Sequence, residues 1–131
     1  MRHRVLIAAL VLAVTSTSAN AAQTVALDLI CTGQVADAAG AVKPFTTQIS
    51  LDLQAKRWCD RQAGCPYVFP ILARHGDDLQ LLAVKTPLNE AAFDVDLKTG
   101  AFVRNTRIPD RSDSATAAKG VCKPAAFTPL P

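Results

Sequence analysis

The sequence predicts a small all-β domain, an antiparallel meander of about seven strands that forms a barrel or sandwich and is stapled by disulfides. Three observations lead to this fold class. Apolar and polar residues alternate with a period of two in several segments, and glycines and prolines separate these segments at short intervals. Four cysteines follow a segment that has the layout of an export signal. Half of the residues are hydrophobic, which excludes a disordered tail.

Residues 1–21 have the layout of a secretory signal peptide. A positive start is followed by the apolar residues 5–14 and by a small-x-small pattern that ends at Ala21. Cleavage is expected after Ala21, with Ala22 as the alternative. A membrane anchor is the competing interpretation, but ten apolar residues span only about 15 Å as a helix, about half the hydrocarbon thickness. We therefore expect residues 22–131 to form one β-rich domain, periplasmic or secreted, with no membrane span in the mature chain.

The mature domain is expected to be nearly neutral. Cleavage would remove two of the 14 Lys and Arg residues and none of the 11 Asp and Glu residues. The remaining charges alternate in sign along the chain, whereas a nucleic-acid binder concentrates a basic excess on one surface. We therefore expect no nucleic-acid partner.

The cysteines predict a covalent frame, because an even number of them in an exported chain forms disulfides. Three pairings exist on paper. Cys59 and Cys65 are separated by five residues, a spacing that closes as a local loop, and this leaves Cys31 to pair with Cys122. The other pairings would tie a terminal strand to the central loop. In the chain-entropy model the long bridge contributes about 4 to 5 kcal/mol and the short bridge about 2 kcal/mol.

The same cysteines match a zinc or redox site poorly. Structural zinc sites use two close cysteine pairs or cysteine together with histidine, and the only mature histidine is His75. No C-x-x-C motif is present. We expect no metal and no cofactor.

Two strands are predicted near the start of the mature domain. In segment 24–32, Val25, Leu27 and Leu29 share one face with Cys31, so the cysteine is expected to point into the core. Segment 45–53 alternates in the same way over nine residues. After it, residues 53–59 are the best helical candidate, a single turn around Trp58.

Two hairpins are predicted further along the chain. Segments 67–73 and 79–86 flank a polar tip, and Pro70 places the first of them at an edge or bulge because proline cannot donate to a ladder. Segments 93–97 and 101–106 flank a turn at Gly100, where a positive φ is expected.

The last part of the chain is predicted to be less regular. Residues 107–118 show little periodicity and are expected to form a mobile loop, followed by a short final strand over 119–123. A bridge between Cys31 and Cys122 would hold the first and last strands together. That pairing would hide two sheet edges that otherwise invite aggregation.

His75 is the candidate for catalysis. A hydrolase would need it to act with a carboxylate such as Asp77 and with a nucleophile. The chain has no G-x-S-x-G elbow, and adjacent residues of a strand point to opposite faces, so Asp77 and Asp78 make a poor acid/base pair. The simpler interpretation is an exposed histidine in a turn.

Trp58 lies among the cations Arg57 and Arg61 and beside Cys59, which is the most distinctive local feature of the sequence. It could present a stacking surface for a glycan or an anionic envelope component, so these three residues are the predicted ligand-binding site. The alternative is that Trp58 packs in the core against the disulfide.

The sequence therefore favours a non-enzymatic binding module for a protein or envelope component, such as an envelope protein or a glycan. The alternatives are a small hydrolase with a dispersed site around His75 and a purely structural envelope protein. Removal of residues 1–21 and the absence of free thiols can both be tested by intact mass spectrometry.

Overall fold

The computed structural model describes residues 25–131, so the predicted signal peptide and its cleavage site lie outside the described residues. Within this range one antiparallel sheet of nine strands has the order β4-β3-β2-β1-β9-β8-β7-β6-β5. The all-β, disulfide-stapled prediction is confirmed, with nine strands instead of about seven. The strands are β1 (Ala26–Asp37), β2 (Val42–Asp52), β3 (Arg57–Asp60), β4 (Phe69–Pro70), β5 (Ala73–His75), β6 (Asp78–Lys85), β7 (Glu90–Asp96), β8 (Ala101–Ile108) and β9 (Arg111–Ala125).

Neighbours in the sheet are also neighbours along the chain, except that β1 lies beside β9. The sheet curls into a half-barrel, and the stretch that contains β4 and β5 connects its two ends. β4 pairs with β3, whereas β5 pairs with β6. Between them, the Ile71 N–H donates to the Lys56 carbonyl at 2.8 Å and the Leu72 N–H donates to the Gln80 carbonyl at 2.9 Å.

The pairing of β1 with β9 brings Cys31 opposite Cys122, and their Cα atoms are 3.8 Å apart. These two cysteines are disulfide-bonded, and so are Cys59 and Cys65, which confirms both predicted bridges. Next to the long bridge the two backbones approach closely. A Cβ on Gly120 would lie 2.1 Å from the Thr32 carbonyl oxygen, so only glycine fits this position.

Two sequence predictions about the C-terminal part are wrong. Residues 107–118 belong to β8 and to the long strand β9, separated by a two-residue turn, and the final strand spans 15 residues instead of 119–123. Between β1 and β8, β9 gains backbone hydrogen bonds on both sides without needing large apolar side chains. The interior-facing hydroxyls of Thr116 and Thr106 are hydrogen-bonded to each other at 2.6 Å. This bond lets two polar residues lie inside, where a pattern of alternating apolar residues would not place them.

Residues 53–59 contain no helical turn. A four-residue turn at 53–56 ends at Lys56, which has a φ of 56°, and β3 begins directly after it. The hairpin predicted from segments 67–73 and 79–86 is confirmed only around its turn at 76–77, where residues 73–75 pair with residues 78–80. The rest of the predicted first strand is wrong, because Phe69 and Pro70 form β4 and pair with β3, at the end of the sheet order. Gly100 has a φ of 79°, as the predicted turn requires.

Strand alternation places an apolar core inside the half-barrel. The rings of Phe45, Phe102, Phe93 and Trp58 follow one another with centroid distances between 5.8 and 6.3 Å. Around these rings lie buried aliphatic side chains from β1, β2, β6 and β7. No helix in residues 25–131 has the length and apolarity that a membrane span requires.

Candidate functional site

The three residues of the predicted site do not form one surface. Arg57, Trp58 and Arg61 lie on or directly after β3, where successive side chains point to opposite faces of the sheet. Trp58 points into the half-barrel, whereas Arg57 and Arg61 lie on the outer side. Whether the two arginines bind a ligand stays a prediction, but Trp58 is not exposed beside them.

Trp58 is a core residue, with 3% of its surface exposed. Its indole N–H donates to the Leu81 carbonyl of β6 at 2.9 Å. Its ring packs edge-on against Phe93 and lies 5.3 Å from the ring of Phe69. The indole therefore connects β3 to β6, two strands that are not paired with each other in a ladder, and the packing interpretation of Trp58 agrees with this geometry.

Arg61 is occupied by the C-terminal segment. Its guanidinium donates to the Ser50 hydroxyl and to the carbonyl of Thr128, both at 2.7 Å, and to the carbonyl of Pro129. Residues 126–131 therefore cross the outer face of β1 and β2 as a tail. These bonds leave Arg61 as an anchor for the tail.

Asp28 is the second anchor of the tail. Its carboxylate is fully buried, and it accepts hydrogen bonds from the Thr128 N–H at 3.1 Å, from the Thr128 hydroxyl at 2.8 Å and from the Gln48 amide at 3.1 Å. Burial raises the pKa of Asp28, but hydrogen bonds led by that from Ser50 outweigh it and hold the pKa below its ordinary value. Asp28 is therefore a structural carboxylate in the folded protein.

Arg57 lies on the outer side of the sheet edge, beside an exposed aromatic segment whose Phe69 is opposite Trp58 in register and faces the inner side. In register it lies opposite Pro70, and the segment on either side of Pro70 exposes Tyr67, Phe69 and Leu72 to 70%, 36% and 48%. The rings of Tyr67 and Phe69 are 6.3 Å apart. We call the exposed residues Lys56, Arg57, Tyr67, Phe69 and Leu72 the seam patch.

The seam patch borders an opening in the half-barrel. β5 pairs with Asp78, Leu79 and Gln80 only, so the second half of β6 is paired on one side alone, with β7. Residues 66–71 turn away from β6 and approach β3 instead. We call the opening between residues 66–71 and residues 82–85 the seam.

An ion pair inside the half-barrel connects β8 to β3. The Arg104 guanidinium of β8 is 3.5 Å from the Asp60 carboxylate of β3, and it lies over the Phe93 ring at 5.4 Å. Thr47 also faces the interior, and its buried hydroxyl finds no hydrogen-bond partner among residues 25–131. The interior is therefore apolar at its centre and partly polar toward one end.

His75 lies in a shallow groove on the outer face of β5 to β8. The groove has a volume of about 390 Å³ and also contains the carboxylates of Asp78, Asp94 and Asp96. Its lining includes no Ser, Thr or Cys, so it offers no side-chain nucleophile to a base at His75. Asp77 is not part of this lining and occupies the turn after β5. Burial raises the pKa of Asp94, while the Asp96 carboxylate caps the backbone of the following turn.

A second, wider cavity with a volume of about 750 Å³ lies at one end of the half-barrel. Its floor is aliphatic, with Leu27, Leu53 and Leu97 half-buried around it. Its rim carries cations and carboxylates in equal number, namely Arg74, Lys98, Asp77 and Asp96. The charges therefore do not select a ligand.

Within residues 25–131, no group of three or more His, Cys, Asp and Glu side chains has a geometry that could hold a metal ion. No protein-family model, curated protein or solved structure matches this chain. The candidate site is therefore derived from geometry and charge alone.

The sequence contained a signal for the seam patch that periodicity analysis missed. Residues 66–72 read Pro-Tyr-Val-Phe-Pro-Ile-Leu, an apolar stretch in which two prolines prevent regular pairing. Such a stretch has fewer backbone partners and cannot bury every side chain. No comparable signal marks Asp28, whose burial depends on a threonine 100 residues later.

Proposed function

We propose that this protein is a non-enzymatic, exported binding module that recognises a protein of the envelope or of the secreted fraction through the seam patch. The supporting observation is the exposure of three large apolar side chains within six residues, next to two cations. Exposed apolar clusters rimmed by polar groups mark interaction sites. Tyr, Phe and Arg are also the residue types enriched at protein interfaces.

The seam patch is held in place before any partner binds. Its backbone is hydrogen-bonded to β3 and β6 through Ile71 and Leu72, and its Phe69 ring rests on Trp58. The Cys59–Cys65 bridge closes the loop that leads into it. A surface that is already ordered loses less conformational entropy on binding, so a small patch can support useful affinity.

Export is part of the proposal. Two disulfides are typical of a protein that folds in an oxidising, extracellular environment. The layout of residues 1–21 adds the targeting signal. Intact mass spectrometry of the exported protein should find a chain that lacks residues 1–21 and has no alkylatable thiol. Retention of Met1 or labelling of a cysteine without reduction would contradict export and oxidation.

The binding proposal is tested by capture from envelope and culture-medium extracts on the immobilised mature domain. The test variant carries Tyr67→Ser and Leu72→Ser together. The control variant carries Val121→Ser, since Val121 is 49% exposed but lies on β9, near the middle of the sheet order. We expect the wild type and the control to retain the same species and the double variant to lose them. Equal retention by all three proteins would refute the seam patch as the binding surface.

A further inference from the structure

We propose that the seam accepts an extended, acidic segment of the partner, which pairs with β6 as an additional β-strand. This inference rests on the proposed function, because it assigns a mode of recognition and a partner chemistry to the same surface. It goes further in placing main-chain hydrogen bonds, and not only side-chain contacts, at the centre of binding.

The edge of β6 is available for pairing. In the part of the chain that the structure describes, residues 82–85 pair with β7 on one side and have no strand on the other. An edge strand presents a row of backbone N–H and C=O groups that can template another strand. Extended peptides bind to many domains by adding to an edge of this kind.

The direction of the free backbone groups follows from two hydrogen bonds. The Leu81 carbonyl faces the seam, because it accepts from the Trp58 indole that crosses there. At the other end, the Thr86 N–H bonds the Asn89 carbonyl across the β6–β7 turn, so it faces β7. The β6–β7 ladder is irregular between Gln80 and Leu82, but residues 82–85 pair with β7 in continuous register, so backbone groups alternate in direction from Thr86 back to Leu82. Ala83 and Lys85 therefore each present an N–H and a C=O to the seam.

Residues 25–131 do not close the seam. Ala73 pairs with Gln80, so a straight continuation would bring residues 68–72 alongside residues 81–85. The chain instead turns to β3, where Phe69 and Pro70 find their partners, and Pro70 has no N–H to offer a second strand. At the narrow end of the opening, the Trp58 indole N–H donates a hydrogen bond from β3 to the Leu81 carbonyl of β6.

The charges around the seam favour an acidic segment. Residues 56–58, 66–72 and 81–85 carry three cations, Lys56, Arg57 and Lys85, and no acidic residue. Glu90 lies opposite Lys85 on β7, but its carboxylate is ion-paired with Arg107 at 2.6 Å, so the cations remain in excess. All three cations are exposed. A second copy of this chain pairing through the same edge would bring identical cations together, so like-charge repulsion disfavours a homodimer.

The side chains of β6 give the site two different faces. Leu82 and Val84 are half-buried, whereas Ala83 and Lys85 are exposed. A segment that alternates apolar and acidic residues would direct its apolar side chains toward Leu82, Val84 and Phe69. Its carboxylates would then lie on the outer side near Lys85 and Arg57.

The probe for this proposal is an acetylated and amidated octapeptide of alternating Val and Glu, added to the ¹⁵N-labelled mature domain with both disulfides intact. We expect saturable shifts of the backbone amides of residues 82–85. We also expect slower hydrogen exchange at Ala83 and Lys85, whose N–H groups would become hydrogen-bonded. A peptide with Lys in place of Glu should bind much more weakly, because it meets the cations of the seam.

Two further changes test the main-chain hydrogen bonds. The same peptide with N-methylated Val residues should lose binding although its charge is unchanged. In the protein, Ala83→Pro removes an N–H that faces the seam while the pairing of β6 with β7 is kept. We expect it to abolish binding of the unmodified peptide. If this variant fails to fold, the N-methylated peptide decides the question alone.

A matched pair of charge variants tests the partner chemistry. Lys85→Ala should weaken peptide binding about twofold to fivefold, the range expected for one exposed ion pair. Lys98→Ala, which removes an exposed cation from the β7–β8 turn, should leave binding unchanged. Equal effects of the two substitutions would overturn the assignment of charge recognition to the seam.

The inference and the proposed function can fail separately. If the Tyr67→Ser, Leu72→Ser variant loses its captured partner while the Val-Glu peptide leaves Ala83 and Lys85 unprotected, the seam patch binds but strand addition is refuted. If sedimentation shows a dimer of the wild type that Ala83→Pro dissociates, the occupant is a second copy and the acidic partner is refuted. Protection by the peptide with no effect of the patch variant on capture would support the edge and refute the patch.

Discussion

Trp58 offers the sharpest test of how this small domain is held together. Replacement with Ala would remove a buried indole from the row of core rings and the hydrogen bond that its N–H makes with the Leu81 carbonyl. Truncation of a buried Trp costs about 3 to 5 kcal/mol, and the lost hydrogen bond adds about 1 kcal/mol. The total is comparable to the whole stability of an average domain, which is about 5 to 15 kcal/mol.

The assay is urea unfolding of the oxidised mature domain, followed by far-UV circular dichroism because the variant has no tryptophan. Trp58→Ala should lower the unfolding free energy by about 4 to 6 kcal/mol or prevent folding. Trp58→Phe, which keeps a ring but loses the N–H, should cost only about 1 to 2 kcal/mol. In the wild type, the single tryptophan should emit at short wavelength and resist quenching by iodide.

The matched control is Tyr67→Ala, since Tyr67 is also a large aromatic residue but is 70% exposed. We expect this variant to lose less than about 1 kcal/mol. The reasoning fails if Trp58→Ala costs no more than Tyr67→Ala, or if iodide quenches the native emission as readily as that of the unfolded chain. Either result would place Trp58 at the surface and reopen its role as a ligand-binding side chain.

Three further predictions concern the frame. Replacing both cysteines of the β1–β9 bridge with Ala should lower the unfolding free energy by about 4 to 5 kcal/mol. Removing the bridge in the 59–65 loop in the same way should cost about 2 kcal/mol. Equal losses would contradict this ranking of the two bridges. Asp28 has a folded pKa below its ordinary value of 3.8, so its stabilisation is complete above that value and disappears as the pH falls through the folded pKa. Asp28→Asn should therefore lower stability at pH 7 and flatten its decline between about pH 5 and 2, unlike the exposed Asp77→Asn, as pH-dependent melting would show. Gly120→Ala should lower the unfolding free energy by more than about 2 kcal/mol, because the new Cβ would meet the backbone of β1. The control is Gly40→Ala, whose Cβ would meet no atom although Gly40 has a φ of 84°. It should lose about 1 kcal/mol in the same unfolding assay.

Local patterns predicted the parts of the fold that depend on local physics. The alternation in segments 24–32 and 45–53 corresponds to β1 and β2, since burial on one face of a strand leaves a period of two. Gly100 marked a turn because its backbone conformation suits glycine best. The same approach failed at residues 107–118, where small and polar side chains in a strand gave no periodicity to detect.

The sequence predicted less of the candidate site than of the fold. Arg57 lies in the seam patch, but Trp58 turned inward and Arg61 became an anchor for the tail. Tyr67 and Leu72 were not singled out, because their exposure follows from the departure of residues 66–71 from β6. Such a departure depends on which neighbouring strand offers better pairing, and that choice is not encoded in the segment itself.

By itself, the sequence determined the strand-rich architecture, the β7–β8 hairpin, the turn between β5 and β6, and the pairing of the four cysteines. These follow from side-chain alternation, backbone preferences at glycine and proline, and the spacing between cysteines, all of which act over short distances or by elimination. Only the tertiary structure decided the side of β3 on which Trp58 lies, the burial of Asp28 beneath Thr128 and the opening beside residues 82–85. Each of these depends on contacts between segments 20 to 100 residues apart, whose relative positions are set by the packing of the whole sheet.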